Sequence, residues 1–176
     1  MSTSNTQQTN SALRAPNSLQ ETTAENRTAE QLTDGLPESH MTGCQITKML
    51  VADDQRMAFL PRHVGMIGLL VVENAVYSQL RQLTADYGGG FWDYYDLSNG
   101  GFFMAPSGGD SMRLSNPMNY SDETMSAEAA GIVACMYVFG NLSFDPRFRR
   151  LADKYHLLRE FSLEHAEAAK IFSLID

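Results

Sequence analysis

The chain of 176 residues has a hydrophobic fraction of 43% and a net charge of −8, which together predict one domain with a real core and an acidic surface. We expect no membrane span, because no apolar run reaches the roughly 18 residues that a span requires. We also expect no signal peptide, because the chain does not begin with a basic segment followed by an apolar one. The two cysteines do not suggest a disulfide framework, which fits a reducing cytoplasm.

The acidic balance argues against nucleic acid as a partner, since the phosphate backbone attracts basic surfaces. Of the 21 acidic and 13 basic residues, five and two respectively precede residue 45, which leaves sixteen and eleven for the remainder. Duplex DNA carries one negative charge per about 1.7 Å of its axis, so these charges are too sparse to imitate DNA. We therefore expect an ordinary acidic surface, with neither stable DNA binding nor DNA mimicry.

Residues 1–44 are rich in Ser, Thr, Asn and Gln and nearly lack large apolar side chains. Such a segment cannot bury enough surface to offset the entropy that is lost on ordering. We therefore predict a disordered polar tail, followed by a single domain over residues 45–176. His40 and Cys44 could bind a metal, but no second pair of ligands lies nearby in the sequence, so we expect neither a metal nor a cofactor.

The first part of the domain is predicted to contain a strand and two helices. Residues 46–51 suggest the strand, after which an aspartate can cap a short helix over residues 55–60 that Pro61 stops. An amphipathic helix of about four turns follows, and its predicted end lies before Gly88, which can adopt the left-handed cap conformation. Its apolar side chains recur at helical spacing: Val72, Ala75, Val76, Leu80 and Leu83.

An aromatic-rich stretch at residues 86–106 is predicted to form a β-hairpin around which the domain is organised. Aromatic residues favour a pleated, half-buried surface, and the Asn-Gly pair at residues 99–100 supplies the two positive-φ positions of a type I′ turn. On the first strand Trp92, Tyr94 and Asp96 share one face. Large rings lie on both faces, so the rest of the chain must cover at least one of them.

The C-terminal half is predicted to supply a third strand and most of the helices. A glycine turn leads to residues 112–114, which would complete an antiparallel meander, and Ser121 can cap a helix. Residues 129–139 carry no charge, and because a helix that is apolar all round is buried, we expect the central core helix there. Pro146, a favoured first helical residue, opens a further helix, and residues 164–175 form the last one.

Together these elements predict an α+β fold, in which a small antiparallel β-meander packs against four to five helices. The outer face of the helix that Pro146 opens is basic, which is typical of a solvated helix face but is also a mild hint of a partner. Its basic residues are Arg147, Arg149, Arg150, Lys154 and Arg159.

No arrangement of titratable residues in the sequence indicates an active site. Asp93 and Asp96 lie on opposite faces of their predicted strand and cannot form a carboxylate pair, and His63, His156 and His165 are isolated. We therefore predict that the protein is not an enzyme. The alternative is a hydrolase assembled from scattered residues, which would require a pocket that joins at least two of Asp93, Asp96 and His63.

Two stretches resemble the ArdB/KlcA antirestriction proteins of plasmids and other mobile elements. Residues 51–65 read VADDQRMAFLPRHVG, and residues 86–106 combine a DYGGGFW core with an LSNGGFFMAP end. The resemblance covers roughly residues 46–160 and implies a small α+β protein of the bacterial cytoplasm. Such proteins protect incoming DNA from type I restriction-modification enzymes and are grouped apart from antirestriction proteins that imitate DNA. The family supplies no catalytic residues.

We therefore predict an inhibitor that binds a type I restriction-modification complex through a protein surface. If Trp92 and Tyr94 face outward with Asp96, they would form a contact patch, since Trp and Tyr dominate binding hot spots; otherwise both rings belong to the core. The competing function is DNA binding or shielding through the basic face of residues 146–159. The candidate partner-binding residues are Trp92, Tyr94, Asp96, Asn99, Arg56 and Arg62.

Overall fold

The computed structural model describes residues 45–109 and 111–176, so the predicted tail and the His40–Cys44 pair lie outside the described residues. In the described part of the chain, five strands and four α-helices follow one another, with a 3₁₀ turn before the first helix. This composition confirms the α+β class. The elements are β1 (Lys48–Leu50), α1 (Arg56–Leu83), β2 (Trp92–Leu97), β3 (Phe102–Pro106), β4 (Ser111–Asn116), β5 (Ser121–Ser126), α2 (Ala127–Leu142), α3 (Leu151–Leu163) and α4 (Ala168–Ile175).

The described strands form two separate antiparallel sheets. β1, β2 and β3 form the first sheet in that order, with Lys48 opposite Leu97. β4 pairs with β5 in the second sheet, so the prediction that residues 112–114 add the third strand to the hairpin is wrong, and β1 takes that place. Because β5 buries only Met125, its polar sequence lacks the apolar alternation that would have identified it as a partner strand.

The predicted hairpin is confirmed, but its tip is a three-residue loop instead of a type I′ turn. The Gly100 N–H donates to the Leu97 carbonyl oxygen at 2.9 Å, and the Leu97 N–H donates to the Gly101 carbonyl oxygen at 3.0 Å. Gly100 has a φ of +86°, whereas Asn99 is not among the described residues with positive φ. A turn followed by a left-handed glycine is the common three-residue alternative.

α1 is one long helix with a break at Gly65. Pro61 does not stop the helix, contrary to the prediction, and helical geometry is interrupted one turn later at Gly65, with φ 75° and ψ 169°. This backbone conformation is accessible essentially to glycine alone. The helix then continues to Leu83, and the N–H of its C-cap residue, Thr84, donates to the Leu80 carbonyl oxygen at 3.1 Å. The predicted left-handed cap at Gly88 is therefore not used.

One side of α1 serves the core while its other side is largely exposed. The segment Asp53–Leu83 is long and apolar enough, by length and composition alone, to cross a membrane, which differs from the expectation drawn from uninterrupted apolar runs. In this fold 28% of its most apolar window is buried, and Phe59, Leu60, Val72 and Val76 belong to the core.

α2 is the central core helix, as predicted. Most of its side chains are buried, and it lies so close to β3 that a Cβ atom on Gly131 would come within 2.6 Å of the Ala105 Cα. Its N-cap is Ser126, whose Oγ accepts a hydrogen bond from the Ala129 N–H at 3.2 Å. The predicted cap at Ser121 is wrong, because that residue begins β5.

The last two helices begin later than predicted. Pro146 opens no helix, because the chain turns at Asp145, where the Phe148 N–H donates to the Asp145 carbonyl oxygen at 2.8 Å. The Asp145 side chain also accepts the Arg147 N–H at 2.9 Å, and such local side-chain bonds compete with helix formation. α4 likewise begins at Ala168, four residues after the predicted start.

Candidate functional site

The Trp92 side chain lies in the core and not on the surface. It is 3% exposed, and its ring centroid lies 4.7 Å from that of Tyr77 on α1. Its Nε1–H donates to the Tyr87 hydroxyl at 2.6 Å, which satisfies the polar atom that a buried indole carries. An outward-facing Trp92 is therefore wrong, because α1 covers this face of β2, and the alternative of a core residue is confirmed.

Tyr94 is also a core residue, and its hydroxyl takes part in a cluster of hydrogen bonds. It is 8% exposed, and its hydroxyl donates to Glu73 Oε1 at 2.8 Å, while the Tyr77 hydroxyl donates to the same oxygen at 3.0 Å. Burial raises the pKa of both phenols, so both remain protonated donors at neutral pH. The cluster holds β2 against α1, which leaves the Tyr94 ring inaccessible to a partner.

Arg56 is held against the hairpin at the start of α1. Its guanidinium carbon lies 4.8 Å from the centroid of the Tyr94 ring, within the range of a cation–π contact, and it donates a hydrogen bond to the Trp92 carbonyl oxygen. Two carboxylates lie at longer range, Asp53 at 3.7 Å and Asp93 at 3.9 Å. These contacts position β2 on α1.

Asp96 joins the hairpin to the first part of α1 through two neighbouring side chains. Its Oδ2 accepts a hydrogen bond from Arg62 Nη2 at 2.6 Å, and its Oδ1 accepts one from His63 Nε2 at 2.7 Å. A carboxylate only accepts hydrogen bonds, so the neutral ring of His63 carries its proton on Nε2. Burial lowers the pKa of His63, and the hydrogen bond to Asp96 opposes this effect only in part.

The His63–Asp96 pair has the form of a base with an orienting carboxylate, the arrangement that activates nucleophiles in many enzymes. Its imidazole, however, stacks on Phe102 with ring centroids 4.3 Å apart and meets the edge of Phe59 at 5.0 Å. Among the described residues no hydroxyl or thiol hydrogen-bonds to this ring. The pair can therefore hold a carboxylate in place, and the part of the chain that the structure describes positions no nucleophile beside it.

Asn99 fastens the hairpin tip to α3. Its Oδ1 accepts a hydrogen bond from the Gly101 N–H at 3.0 Å, and its Nδ2 donates to the Leu157 carbonyl oxygen at 2.8 Å. Lys154 on α3 adds a hydrogen bond to the Gly100 carbonyl oxygen at 2.6 Å. Of the six candidate partner-binding residues, only Arg62 is exposed, and the other five are buried or half-buried.

The predicted basic face does not form a single helix surface, because its five residues divide between the turn before α3 and α3 itself. In the turn, Arg147 Nη2 pairs with Asp145 Oδ2 at 2.6 Å. On the helix, Lys154 bonds to the hairpin tip, and the guanidinium of Arg159 lies 5.3 Å from the centroid of an aromatic ring of α4. Among the described residues, two exposed cations of this set make no such contact: Arg149 and Arg150.

Sequence patterns alone did not identify an apolar stripe on the outer side of α1. The stripe consists of Met66, Ile67 and Leu70, which are 74%, 75% and 64% exposed, whereas Val72 on the opposite side is fully buried. Residues three and four apart share a helix face, so these side chains adjoin one another. The signal that could have revealed them is the run of residues 64–72, which contains no polar side chain to mark the solvent side.

A pocket of about 170 Å³ opens at the break in α1, and we call it the Gly65 pocket. Two arginines bring positive charge to its wall. Arg147 is paired with Asp145, whereas Arg150 takes part in no salt bridge within the described residues. The residues that line the pocket include His63, Val64, Gly65, Arg147, Phe148 and Arg150.

Within residues 45–109 and 111–176, no group of three or more potential metal ligands is found. Cys135, the cysteine in this part of the chain, is buried in α2, and burial raises the pKa of its thiol to about 12. The thiolate is the reactive form of cysteine, so this side chain packs in the core and does not act as a nucleophile.

The comparisons with known proteins all indicate the same family. The family described as "Antirestriction protein" matches residues 85–176. Two Escherichia coli proteins named antirestriction protein KlcA are 39% and 40% identical over 135 and 146 residues, which covers 74% and 77% of this chain and 95% and 100% of theirs. The uncharacterized protein YafX of Escherichia coli strain K12 is 36% identical over 135 residues, covering 75% of this chain and 89% of its own length.

A solved structure shares the fold. It matches with a TM-score of 0.70 and 39% sequence identity, over 74% of this chain and 95% of that one. It is described as showing, for the KlcA and ArdB proteins, a novel fold and antirestriction activity against type I DNA restriction systems in vivo but not in vitro. Since these matches extend over most of the chain and nearly the full length of its relatives, the chain belongs to the KlcA/ArdB family of antirestriction proteins.

Proposed function

We propose that the chain protects incoming mobile-element DNA by inhibiting the type I restriction-modification enzymes of the bacterium that the DNA enters. The observation that carries this proposal is the similarity to the KlcA proteins over nearly their whole length. The partner is a type I restriction-modification complex in the cytoplasm, in keeping with the activity described for the KlcA and ArdB proteins.

In this proposal inhibition proceeds through protein contacts and not through imitation of DNA. Sixteen acidic and eleven basic residues over residues 45–176 leave a small negative excess, far from the regular charge density of a duplex. Several carboxylates are also neutralised by neighbours: Asp96 by Arg62, Asp122 by Arg113 and Glu128 by Lys48. A surface of mixed charge with exposed apolar side chains is better suited to contact another protein surface than to occupy the cleft in which an enzyme binds DNA.

The protein also acts without breaking bonds of its own. The His63–Asp96 pair is the arrangement closest to an acid–base centre in the described residues, and its imidazole is enclosed by two aromatic rings. The described thiol of Cys135 is buried and protonated. These features support a binding role, in which the rigid fold presents a contact surface to the restriction complex.

Phage plating on a host with an active type I system tests this function. Unmodified phage should plate many-fold better when the chain is expressed, whereas phage already modified by that system should plate equally with and without it. A host that carries a type II restriction enzyme is the matched control, and it should restrict as before. Unchanged restriction of unmodified phage in cells that contain the folded chain would overturn the proposal.

Direct DNA binding is the competing function, and a gel-shift titration at low salt separates the two. A shielding protein must retard duplex DNA, and its affinity must fall steeply as salt releases the phosphate contacts. Contact with the restriction complex predicts no retardation at roughly 10⁻⁶ to 10⁻⁴ M protein, the range typical of non-specific binding. Salt-sensitive retardation in that range would favour shielding.

A further inference from the structure

A pocket of about 350 Å³ lies where the C-terminal ends of α2 and α4 meet, and α3 forms its third wall. The two helix ends are joined by the Tyr137 hydroxyl, which donates a hydrogen bond to the Leu174 carbonyl oxygen. The volume falls within the roughly 300–1,000 Å³ of ligand pockets. We call it the α2–α4 pocket, and its wall includes Tyr137, Asn141, Phe144, Tyr155, His156 and Ile175.

Aromatic rings form much of the wall of this pocket. The Tyr155 ring lies directly against α2, where a Cβ on Gly140 would meet it at 3.9 Å. The His156 ring meets the Tyr155 ring at an angle of 83°, with centroids 5.5 Å apart. Phe144, which also lines the pocket, is 89% exposed. Because the face of an aromatic ring carries negative charge density, such a wall attracts cations.

Elsewhere in the described domain, cations of the chain already lie over ring faces. Six of them lie between 4.8 and 5.8 Å from a ring centroid, as Arg81 does over Tyr87. Among the described residues, no such contact involves Tyr137, Phe144 or Tyr155. The rings of the α2–α4 pocket are therefore available to a cation from another molecule.

The electrostatics of the pocket also favour a positive charge. The C-terminal end of a helix carries a partial charge equivalent to about −0.5 of an elementary charge, and the last turns of α2 and α4 contain no basic residue. Asp176 adds a carboxylate directly after Ile175, at the end of α4. No lysine or arginine is among the described residues that line the pocket. The pocket therefore complements a cation and repels the phosphates of a nucleic acid.

We propose that the α2–α4 pocket binds an arginine side chain of the type I restriction-modification complex. Its guanidinium stacks on the rings of Phe144 and Tyr155 and donates hydrogen bonds to Asn141. The inference rests on the proposed function, since it names the chemical group of the partner inferred there. Arginine fits better than lysine because its planar guanidinium stacks on aromatic faces and offers five donors. Arginine is also enriched among the residues that dominate protein interfaces.

The end of α2 distinguishes an arginine from a neutral side chain. Ser143 satisfies two of the last carbonyl oxygens of this helix, since its N–H donates to Phe139 at 3.1 Å and its hydroxyl donates to Gly140 at 2.7 Å. The carbonyl oxygen of Asn141 accepts no hydrogen bond from a described residue. A guanidinium can donate to this oxygen, whereas an aliphatic or phenyl side chain cannot.

Substitutions at Phe144 separate the attraction between ring and cation from simple apolar burial. In cells where the wild-type chain protects phage from type I restriction, Phe144→Leu should lower protection about tenfold, because leucine is apolar but has no ring. Phe144→Trp supplies the ring that attracts cations most strongly, so protection should equal or exceed that of the wild type. Phe91→Leu makes the same change at a phenylalanine that is 86% exposed outside the pocket, and it should leave protection unchanged.

A lysine at residue 141 tests the charge preference of the pocket. Asn141→Lys should lower protection about tenfold, because its ammonium group repels the incoming arginine, whereas Asn141→Gln should retain most of it. A basic residue in the last turn stabilises a helix, so the unfolding midpoint should not fall and the loss cannot follow from instability. Ser107→Lys makes the same charge change at an exposed residue between β3 and β4 and should leave protection unchanged.

Nuclear magnetic resonance on the purified full chain measures binding of the side chain directly. The probe is N-acetyl-L-arginine methylamide, and the matched control is N-acetyl-L-citrulline methylamide, which has nearly the same shape without the charge. The arginine probe should shift the ring signals of Phe144 and Tyr155 saturably at millimolar concentrations, and the citrulline probe should not. Asn141→Lys should remove the shifts that the arginine probe causes.

Three results would overturn the inference while the proposed function stands. The first is full protection by both Phe144→Leu and Asn141→Lys. The second is equal shifts with the two probes, or none with either, which would show that the pocket does not select a cation. The third is a loss of protection in Ser107→Lys as large as that in Asn141→Lys, which would assign the effect to net charge. Absence of protection by the wild-type chain itself would overturn the proposed function and this inference with it.

Discussion

The buried face of β2 depends on single side chains, and Trp92 is the clearest of them. Its ring contacts Tyr77 on α1, and its N–H donates to Tyr87. Truncating a large buried aromatic side chain costs about 3–5 kcal/mol. We therefore expect Trp92→Ala to lower the free energy of unfolding by about that amount, so any loss of protection in this variant would follow from instability.

Urea unfolding followed by far-ultraviolet circular dichroism measures this change. Tryptophan fluorescence cannot follow it, because Trp92 is the one tryptophan of the chain and the substitution removes it. Phe91→Ala is the matched control, because Phe91 is the preceding residue and is 86% exposed. Its effect should stay within about 0.5 kcal/mol. Equal losses in the two variants would contradict the core position of Trp92.

A single imidazole gives the stability of the fold a pH dependence of definite sign. Burial lowers the pKa of His63 in the folded protein, whereas in the unfolded chain it is about 6.5. Below that value the unfolded chain binds more protons than the folded one, so the free energy of unfolding decreases as the pH falls, until the folded-state pKa is passed. The stabilisation is fully present above about pH 6.5, and His63→Gln should remove this part of the dependence.

Unfolding measurements between about pH 7.5 and 5.5 isolate this effect. Carboxylates contribute at lower pH, as for Glu128, whose pKa is held below its ordinary value by the hydrogen bond from His165 and by Lys48. A His63→Gln protein with the wild-type slope would show that another group titrates.

At the scale of elements, two glycines of α2 differ in what surrounds them and form a matched pair. A Cβ on Gly131 would lie 2.6 Å and 2.7 Å from Cα and Cβ of Ala105 in β3, whereas a Cβ on Gly140 would meet only the Tyr155 ring at 3.9 Å. Gly131→Ala should therefore destabilise the fold by about 1–3 kcal/mol through overpacking. Gly140→Ala should be neutral or stabilise it by up to about 1 kcal/mol through helix propensity.

Thermal unfolding of the two alanine variants measures the difference. Because both substitutions change the same helix in the same way, helix propensity cancels in the comparison and the remaining difference reports the approach of α2 to β3. Similar midpoints in both variants would contradict the close contact at Gly131.

The elements that could be predicted carry their signal within a short stretch of sequence. The hairpin has aromatic strands around Asn-Gly, and α2 has an uncharged run that must be buried on all sides. The pairing of β4 with β5 could not be predicted, because β5 buries only one apolar residue and therefore carries little strand signal. Tertiary packing determines which strand it pairs with. The passage of α1 through Pro61 likewise depends on packing, with the break displaced to Gly65.

The candidate site was harder to predict than the fold, and the reason is physical. Trp and Tyr are enriched both in cores and in binding hot spots. Sequence alone therefore could not show whether the face of β2 that carries Trp92 and Tyr94 is covered by α1 or exposed to a partner. In α1 an apolar run without polar positions hides the boundary between buried and exposed faces, which left Ile67 and Leu70 unrecognised. Only the assembled fold distinguishes the two sides.

At the scale of the whole molecule, α2 packs against β3, α1, α3 and α4, so its exposure should require unfolding of the entire described domain. Cys135 reports on this, because it is fully buried and its Sγ accepts a hydrogen bond from the Met104 N–H at 3.4 Å. In a Cys44→Ser variant Cys135 is the one remaining thiol. We expect a thiol reagent to label it only through global unfolding.

The labelling rate of Cys135 should then yield the same free energy of unfolding as urea denaturation, and both should fall with urea at the same slope. A second variant, with Met118→Cys added to Cys44→Ser, provides an exposed thiol that should react at the rate of an unstructured peptide. Because every layer of the domain contacts α2, partial opening at one face leaves the thiol covered by the others. Labelling of Cys135 that is fast and insensitive to urea would mean that the helices separate from β3 without global unfolding, and α2 would not be the centre on which the fold depends.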